Sequence, residues 1–163
     1  MSFCPECGSK MISRTVDGLG RRVCGECNHI EWNNPIPVVA ALVKYNNKYI
    51  IARNTQWDPG VFSLIAGYLE SGEEIEKGVI REVREELNLD GKITNFLGYY
   101  SFLDKNQIIL AFEVEATGNL EKNHELAEII ELSSSELSVY DFSYFNITEK
   151  IINVWSKLNL QSA

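Results

Sequence analysis

The sequence predicts an α+β domain with helices packed on a sheet, preceded by a small metal-binding ribbon. Three observations lead there. All four cysteines fall within the first 27 residues, as two C-x2-C pairs. Beyond "NNPIP", short β-rich apolar runs alternate with turn residues. Two further segments repeat apolar residues at helical spacing, and one of them is crowded with glutamate.

The 163 residues give room for one full domain and a small appendage. Apolar residues make up 45% and charged residues 23%, the balance of a soluble globular chain. No run has the length of a membrane span and Met1-Ser2-Phe3-Cys4 has no export pattern, so a cytoplasmic location is expected and a membrane partner is not. A net charge of −8 and a pI near 4.8 disfavour a nucleic-acid partner. An anionic small molecule whose charge is carried by cations remains compatible.

Residues 1–34 hold "CPECG" and "CGEC". Each pair lets two thiolates of one tight turn reach one ion, with Gly8 and Gly25 easing the backbone around the sulfurs. Cys4, Cys7, Cys24 and Cys27 thus suit a closed tetrahedral shell around structural Zn2+, with a redox C-x2-C pair as the other reading. The metal would supply stability that so short a segment cannot obtain from a core. His29 reads as a surface residue.

Residues 35–163 follow as the main domain. "VVAALVKY" and "KYIIAR" flank Asn46-Asn47 and read as a hairpin, "VFSLIAG" as a third strand, and "KITNFLGYYSF" and "QIILAFEVEA" as two more around Asp104-Lys105-Asn106. "ELSSSELS" reads as a serine-rich loop. Thr148 is expected to open a closing helix with Ile151, Ile152, Trp155 and Leu158 on one face.

The glutamate-rich segment needs closer attention. Ser71 and Glu74 have capping-box spacing, which starts a helix at Gly72 or Glu73. Ile75, Val79, Val83 and Leu87, with Ile80, form its apolar stripe. At about 100° per residue from Glu82, the stripe spans about 20° to 160°, and Glu86 lies inside it at about 40°. Glu85 falls near 300°, while Lys77, Arg81 and Arg84 lie at about 200° to 260°. A solvated face would group its carboxylates with the basic residues. Glu82 and Glu86 instead emerge at the edge that packs, where an unpaired charge is costly. Clustered oxygen donors suit Mg2+ or Mn2+; a packed salt-bridge network is the alternative.

Gly67, Glu73 and "REVREELNL" (Arg81 to Leu89) together resemble the Nudix hydrolase signature G-x5-E-x7-R-E-U-x-E-E-x-G-U, where U is aliphatic. Asn88 stands where that signature has glycine, as the next best residue for a left-handed helix end. A ribbon, an N-P-x-P linker, this domain and "LIAGYLESGE" are similar to the zinc-ribbon, NADH pyrophosphatase-like branch. The branch's S-Q-P-W-P-F-P-x-S motif is absent, with "GYYSFLDKNQIILAF" in that region, and its extra domain before the ribbon is not expected here.

The resemblance implies a Nudix fold, a mixed sheet packed between helices. It implies metal-dependent hydrolysis of the pyrophosphate in a nucleoside diphosphate linked to another moiety, such as NAD(H), ADP-ribose or FAD, releasing a nucleoside monophosphate. A non-catalytic nucleotide-sensing or adaptor module, and processing of nucleotide-capped RNA ends, are the alternatives. Glu82 and Glu86 are then metal ligands, Glu85 a ligand or base, the Ala66 carbonyl a backbone ligand, and Glu125 of "NHELAEIIEL" a ligand from a loop after the sheet. Glu73 and Arg81 brace loop and helix. Trp32 is either a substrate aromatic or a packing residue, and Tyr99, Tyr100 and Phe102 offer a stacking surface. Trp57 reads as a loop or rim residue and His124 as a surface one. A homodimer is also compatible with the branch.

Overall fold

A computed structural model describes residues 2–142 and 144–161, which form two compact units, Met1–Pro35 and Ile36–Ala163. None of their helices is long and apolar enough to cross a membrane.

The first unit is an antiparallel sheet of β1 (Met11–Val16), β2 (Leu19–Cys24) and β3 (Ile30–Glu31). Asp17 and Gly18, both at positive φ, close the β1–β2 hairpin, as the twist of paired strands favours. The cysteine knuckles match each other bond for bond. Gly8 N–H donates to Cys4 O at 2.9 Å and Asn28 N–H to Cys24 O at 3.2 Å. Cys4 N–H donates to Ser9 O and Cys24 N–H to His29 O, both at 2.8 Å. The left-handed residues are Gly8 and Asn28, so the easing role expected of Gly25 falls to Asn28 instead. An asparagine tolerates that conformation almost as glycine does.

The second unit is built around β4 (Ile36–Tyr45). Its strands are β5 (Lys48–Asn54), β6 (Ile65–Tyr68), β7 (Leu89–Phe102), β8 (Gln107–Gly118) and β9 (Leu126–Leu132), in the order β7-β8-β4-β5-β9. Along its whole length β4 pairs β8 in parallel. On its other side it meets β6 through Val38 to Ala41 and β5 through Val43 to Tyr45, both antiparallel. That handover sets β6 and β5 one after the other along the same edge of β4. Asn46 and Asn47, both left-handed, make the tight β4–β5 turn.

One face of the sheet packs α1 (Ile75–Leu87), through Val79, Val83 and Leu87 against Val39, Ala41 and Val114. The opposite face packs α2 (Ser134–Val139) and α3 (Asn146–Gln161), through Leu137, Ile151, Ile152 and Trp155 against Leu42, Ile51 and Ala111. The expected mixed sheet between helices is the observed architecture.

Four local expectations are corrected. The glutamate helix starts at Ile75 with Glu74 as its cap, because Gly72 sits at φ +80° and the Glu73 carboxylate is taken by Arg81. Glu74 instead pairs with Lys77 at 2.9 Å. The serine-rich segment is the helix α2, opened by a capping box between Ser133 and Glu136. The segment after Glu125 is the edge strand β9. The closing helix begins at Asn146, and Leu158 lies at its exposed border.

A buried carboxylate ties the α3 face together. Glu113 of β8 accepts hydrogen bonds from Tyr49 Oη (3.2 Å), Trp155 Nε1 (3.1 Å), Asn95 Nδ2 (2.6 Å) and Thr94 Oγ1 (3.3 Å). These donors come from β5, α3 and β7, so one side chain locks three elements. Glu113→Gln would set an amide donor against these donors. It is expected to lower stability by about 2 kcal/mol, read as a shifted urea midpoint with an unchanged slope.

Candidate active site

The site forms where β6 runs under α1. Ala66 and Gly67 pair with Ala40 and Val39 of β4. Above Gly67 lies the Glu82 carboxylate, so close that a Cβ on Gly67 would collide with it. The glycine is therefore a matter of space rather than backbone freedom, since its φ is ordinary.

Arg81 organises this end of α1. Its Nε and Nη2 donate to the two oxygens of Glu73 at 2.8 and 3.0 Å, and Nη2 also reaches Tyr68 O at 3.0 Å. Its Nη1 donates to Glu82 Oε1 at 2.7 Å and Glu85 Oε2 at 2.9 Å. Glu73 Oε2 accepts the Glu70 amide as well. The bidentate fork fixes loop to helix, and the guanidinium beside it holds Glu73 below the usual carboxylate range.

Glu86 is placed differently. It is buried, with 7% of its surface exposed, and no ion pair reaches it among the described residues. Burial, followed by repulsion from Glu82, Glu125 and Glu85, pushes it up to about 8. Glu82 is also raised, first by burial, against the lowering pull of Arg81.

Glu125 reaches this field through the chain that follows β8. Glu121 N–H donates to Leu87 O at 3.0 Å and Asn123 N–H to Glu86 O at 2.9 Å, using carbonyls left free at the end of α1. The Asn123 side chain then accepts the Glu125 amide at 2.9 Å. Asn88, left-handed at φ 56°, closes the helix.

A cavity of about 640 Å³ opens beside these groups, with Ala66 and Glu86 in its wall. Phe102 lines it, whereas Tyr99 and Tyr100 do not. Tyr99 is three-quarters exposed, and Tyr100 is turned into the α3-side core with its hydroxyl on Leu97 O at 2.7 Å. Trp57 lines the cavity, packed against Phe145 at 4.8 Å between ring centroids. Trp57 lies in a loop at the rim as the sequence suggested, but its contact with Phe145, from the far end of the chain, was hidden. Trp32, in the first unit, is half exposed beneath the Arg21 guanidinium. His124 is exposed.

The NUDIX domain model matches residues 35–149. The chain belongs to the Nudix family. It is 29% identical over 149 residues to the NAD-capped RNA hydrolase NudC of Vibrio atlanticus, covering 91% of this chain and 50% of that protein. It is 33% identical over 116 residues to the enzyme of the same name from Stutzerimonas stutzeri, covering 71% and 41%. The chain thus spans half or less of the length of these curated relatives. The crystal structure of a NUDIX hydrolase from Nitrosomonas europaea superposes with a TM-score of 0.82 at 25% identity, over 93% of this chain and 88% of that one.

Nudix enzymes use divalent metals, and two donor sets in this Nudix protein fit metal ions. The four cysteine sulfurs lie within 4.8 Å of one another, with Cys4–Cys27 and Cys7–Cys24 at 3.5 Å. Tetrahedral Zn–S bonds put sulfurs about 3.8 Å apart, so the cluster has the right size. Among the sulfurs themselves, the Ser9 amide and hydroxyl hold the Cys7 thiol down to about 6, whereas at Cys27 the His29 amide is outweighed by the neighbouring Cys4 thiol and burial, which push it up to about 12, so the fit rests on the sulfur geometry. The second set is the Nudix glutamates. Among the described residues only the sulfurs are drawn so tightly together; the carboxylates converge more loosely, with Arg81 bonded to two of them. A buried carboxylate with no cation, repelled by three others and facing a cavity, is the electrostatic demand that a hard divalent ion meets.

Proposed function

We propose that this chain is a divalent-metal-dependent pyrophosphohydrolase acting on a nucleoside diphosphate linked to another moiety, with NAD-linked compounds as the first candidates. The observation that carries it is the buried, cation-free Glu86 among Glu82, Glu85 and Glu125 at the wall of a nucleotide-sized cavity. The names of the curated relatives support the NAD-linked class.

In this reading Glu82, Glu85, Glu86, Glu125 and the Ala66 carbonyl hold Mg2+ or Mn2+. A cation held by these residues would offset pyrophosphate charge and lower the pKa of a coordinated water. Arg81 and Glu73 keep α1 and its loop in register and touch no substrate. Water adds to one phosphorus, the P–O–P bridge breaks, and the two monophosphates leave. Glu85, exposed where Glu82 and Glu86 are buried, is the one suited to take up the released proton.

Residues 1–34 are assigned to a Zn2+ ribbon and 35–163 to the catalytic domain. Stripping Zn2+ with a chelator is expected to abolish hydrogen-exchange protection in β1 and β2. Unchanged protection there would remove the metal from the account.

The direct test is a Mn2+ assay across NAD+, NADH, ADP-ribose, FAD and dinucleoside polyphosphates, with products identified by mass. Release of AMP from an NAD-linked compound is expected, and no cleavage of any of them overturns the proposal. Capped RNA is the second reading, motivated by the relatives' names. Cleavage of capped RNA that weakens with salt far more than cleavage of NAD+ would favour it.

A further inference from the structure

Two of the proposed ligands, Glu86 and Glu125, carry carboxylates that no hydrogen bond or ion pair holds among the described residues. They lie near enough for Glu125 to repel Glu86. Such side chains move apart unless their backbones are fixed, so the bonds that fix the backbones decide where the carboxylates stand. Glu86 has its backbone in the last turn of α1. Glu125 has no such support: it lies in the connection between β8 and β9, outside any helix or strand.

The residue that joins the two is Asn123. Its amide donates to Glu86 O at 2.9 Å, and its Oδ1 accepts Glu125 N–H at 2.9 Å. The second bond closes a turn in which a short side chain stands in for a backbone carbonyl. Asn123 thus bonds to the main chain of both glutamates and to the side chain of neither. Its neighbours complete the support. Glu121 N–H donates to Leu87 O at 3.0 Å, Lys122 Nζ to Leu126 O at 2.8 Å, and Thr55 N–H to Glu125 O at 2.8 Å. Beyond Leu126, β9 carries one extra residue, Ala127, against β5, since Arg53 faces Glu128 and Asn54 faces Leu126. Such a bulge bends the strand end next to the Glu125 loop. The amide of Glu125 itself, among the described residues, has the Asn123 side chain as its acceptor and no other.

We propose that Asn123 is the positioning residue that sets the span between Glu86 and Glu125, and so lets one divalent cation bridge α1 and the loop after β8. The inference rests on the hydrolytic reading, with these glutamates as metal ligands, and concerns a residue outside the Nudix signature. The residue type suits the task. An aspartate could close the same turn but would add a charge beside Glu86 and Glu125, a glutamine is one methylene too long, and an alanine has no acceptor.

The test reads metal affinity rather than turnover. Zn2+-loaded protein is titrated with Mn2+, the free ion is followed by electron paramagnetic resonance, and folding is checked by circular dichroism. Asn123→Ala is expected to weaken Mn2+ binding about 10- to 100-fold, the usual cost of losing a group that orients a metal ligand. Asn123→Ser, whose hydroxyl closes the same turn more weakly and adds no charge, should recover most of the loss. Should Asn123→Ala not fold, Asn123→Gln takes its place with the same loss expected. The decisive arm is a cycle with Glu125→Gln. Once that ligand is gone, Asn123→Ala should cost less than about twofold more, whereas a purely structural residue would leave the two losses multiplicative. Affinities of Asn123→Ala and Asn123→Gln within about twofold of wild type, or losses that multiply in the double variant, overturn the assignment while leaving hydrolysis standing. If the cycle holds in a protein that cleaves no NAD-linked compound, the positioning role stands and the hydrolytic reading falls. A wild type that binds no Mn2+ overturns both.

Discussion

Glu86→Gln is expected to lower hydrolysis by about 10²- to 10³-fold and, in metal-free protein at pH 8, to raise the melting temperature. The two effects have one cause. The folded chain holds the Glu86 carboxyl at about 8, against an ordinary value of 4.5. Between those values the folded state binds more protons at Glu86 than the unfolded one, so the stability this group contributes is fully present below about 4.5 and is lost as pH rises to about 8. Above that the ionised carboxylate bears its full burial penalty, on the order of a few kcal/mol. The amide removes this slope. Melting curves of wild type and variant, recorded without metal from pH 5 to 9, should therefore diverge upward in pH, the variant becoming the more stable. Saturating Mn2+ should reverse the order, because only the wild type offers the carboxylate. A variant less stable than wild type at every pH without metal would mean that Glu86 serves the fold.

Gly67→Ala is expected to cost about 10²-fold in activity with little loss of stability. The backbone at Gly67 has an ordinary φ, so alanine is conformationally acceptable and only space is at issue. What occupies that space is the end of the Glu82 side chain, which can swing away and so spare the fold. In doing so it leaves Arg81 Nη1 and the position where oxygen donors converge. Gly78, whose nearest neighbours would be Leu69 and the Glu73 carboxylate, makes the contrasting case: alanine there presses on the brace rather than on the proposed ligands. Steady-state kinetics and thermal melts of the two variants side by side distinguish the roles. A Gly67→Ala enzyme with wild-type kcat/KM would show that the placement of Glu82 is immaterial.

Much of α1 could be read locally. Val79, Val83 and Leu87 repeat every fourth residue, and the same geometry put Glu82 and Glu86 at the packing edge, where both are now seen buried. The start of α1 could not, because it depends on Arg81 reaching back to Glu73 and so drawing the would-be first turn away from the helix. Asn88 was legible as a left-handed helix end from its place in the signature, whereas Asn28 was not, because the residue type allows that conformation without requiring it. In the second unit, α2 was legible by the capping rule applied earlier to Ser71 and Glu74, but a six-residue helix carries too little periodicity to declare itself. The cavity was the least visible feature. Trp57 and Phe145 are brought together only by the packing of α3 on the sheet, and no local pattern records such a contact. Tyr99 and Tyr100 looked the richer aromatic pair, yet strand alternation and two irregularities in β7 send one to solvent and the other into the core.

The central claim is that the glutamates of α1 are arranged for a cation rather than for folding, and the most direct measurement is Mn2+ binding followed by electron paramagnetic resonance. Zn2+-loaded wild-type protein is titrated alongside the Glu82→Gln/Glu86→Gln double variant, with folding of both verified by circular dichroism. The account predicts that the wild type suppresses the free-ion spectrum at stoichiometric Mn2+, while the variant leaves it close to that of buffer. Equal suppression by the two proteins would contradict it.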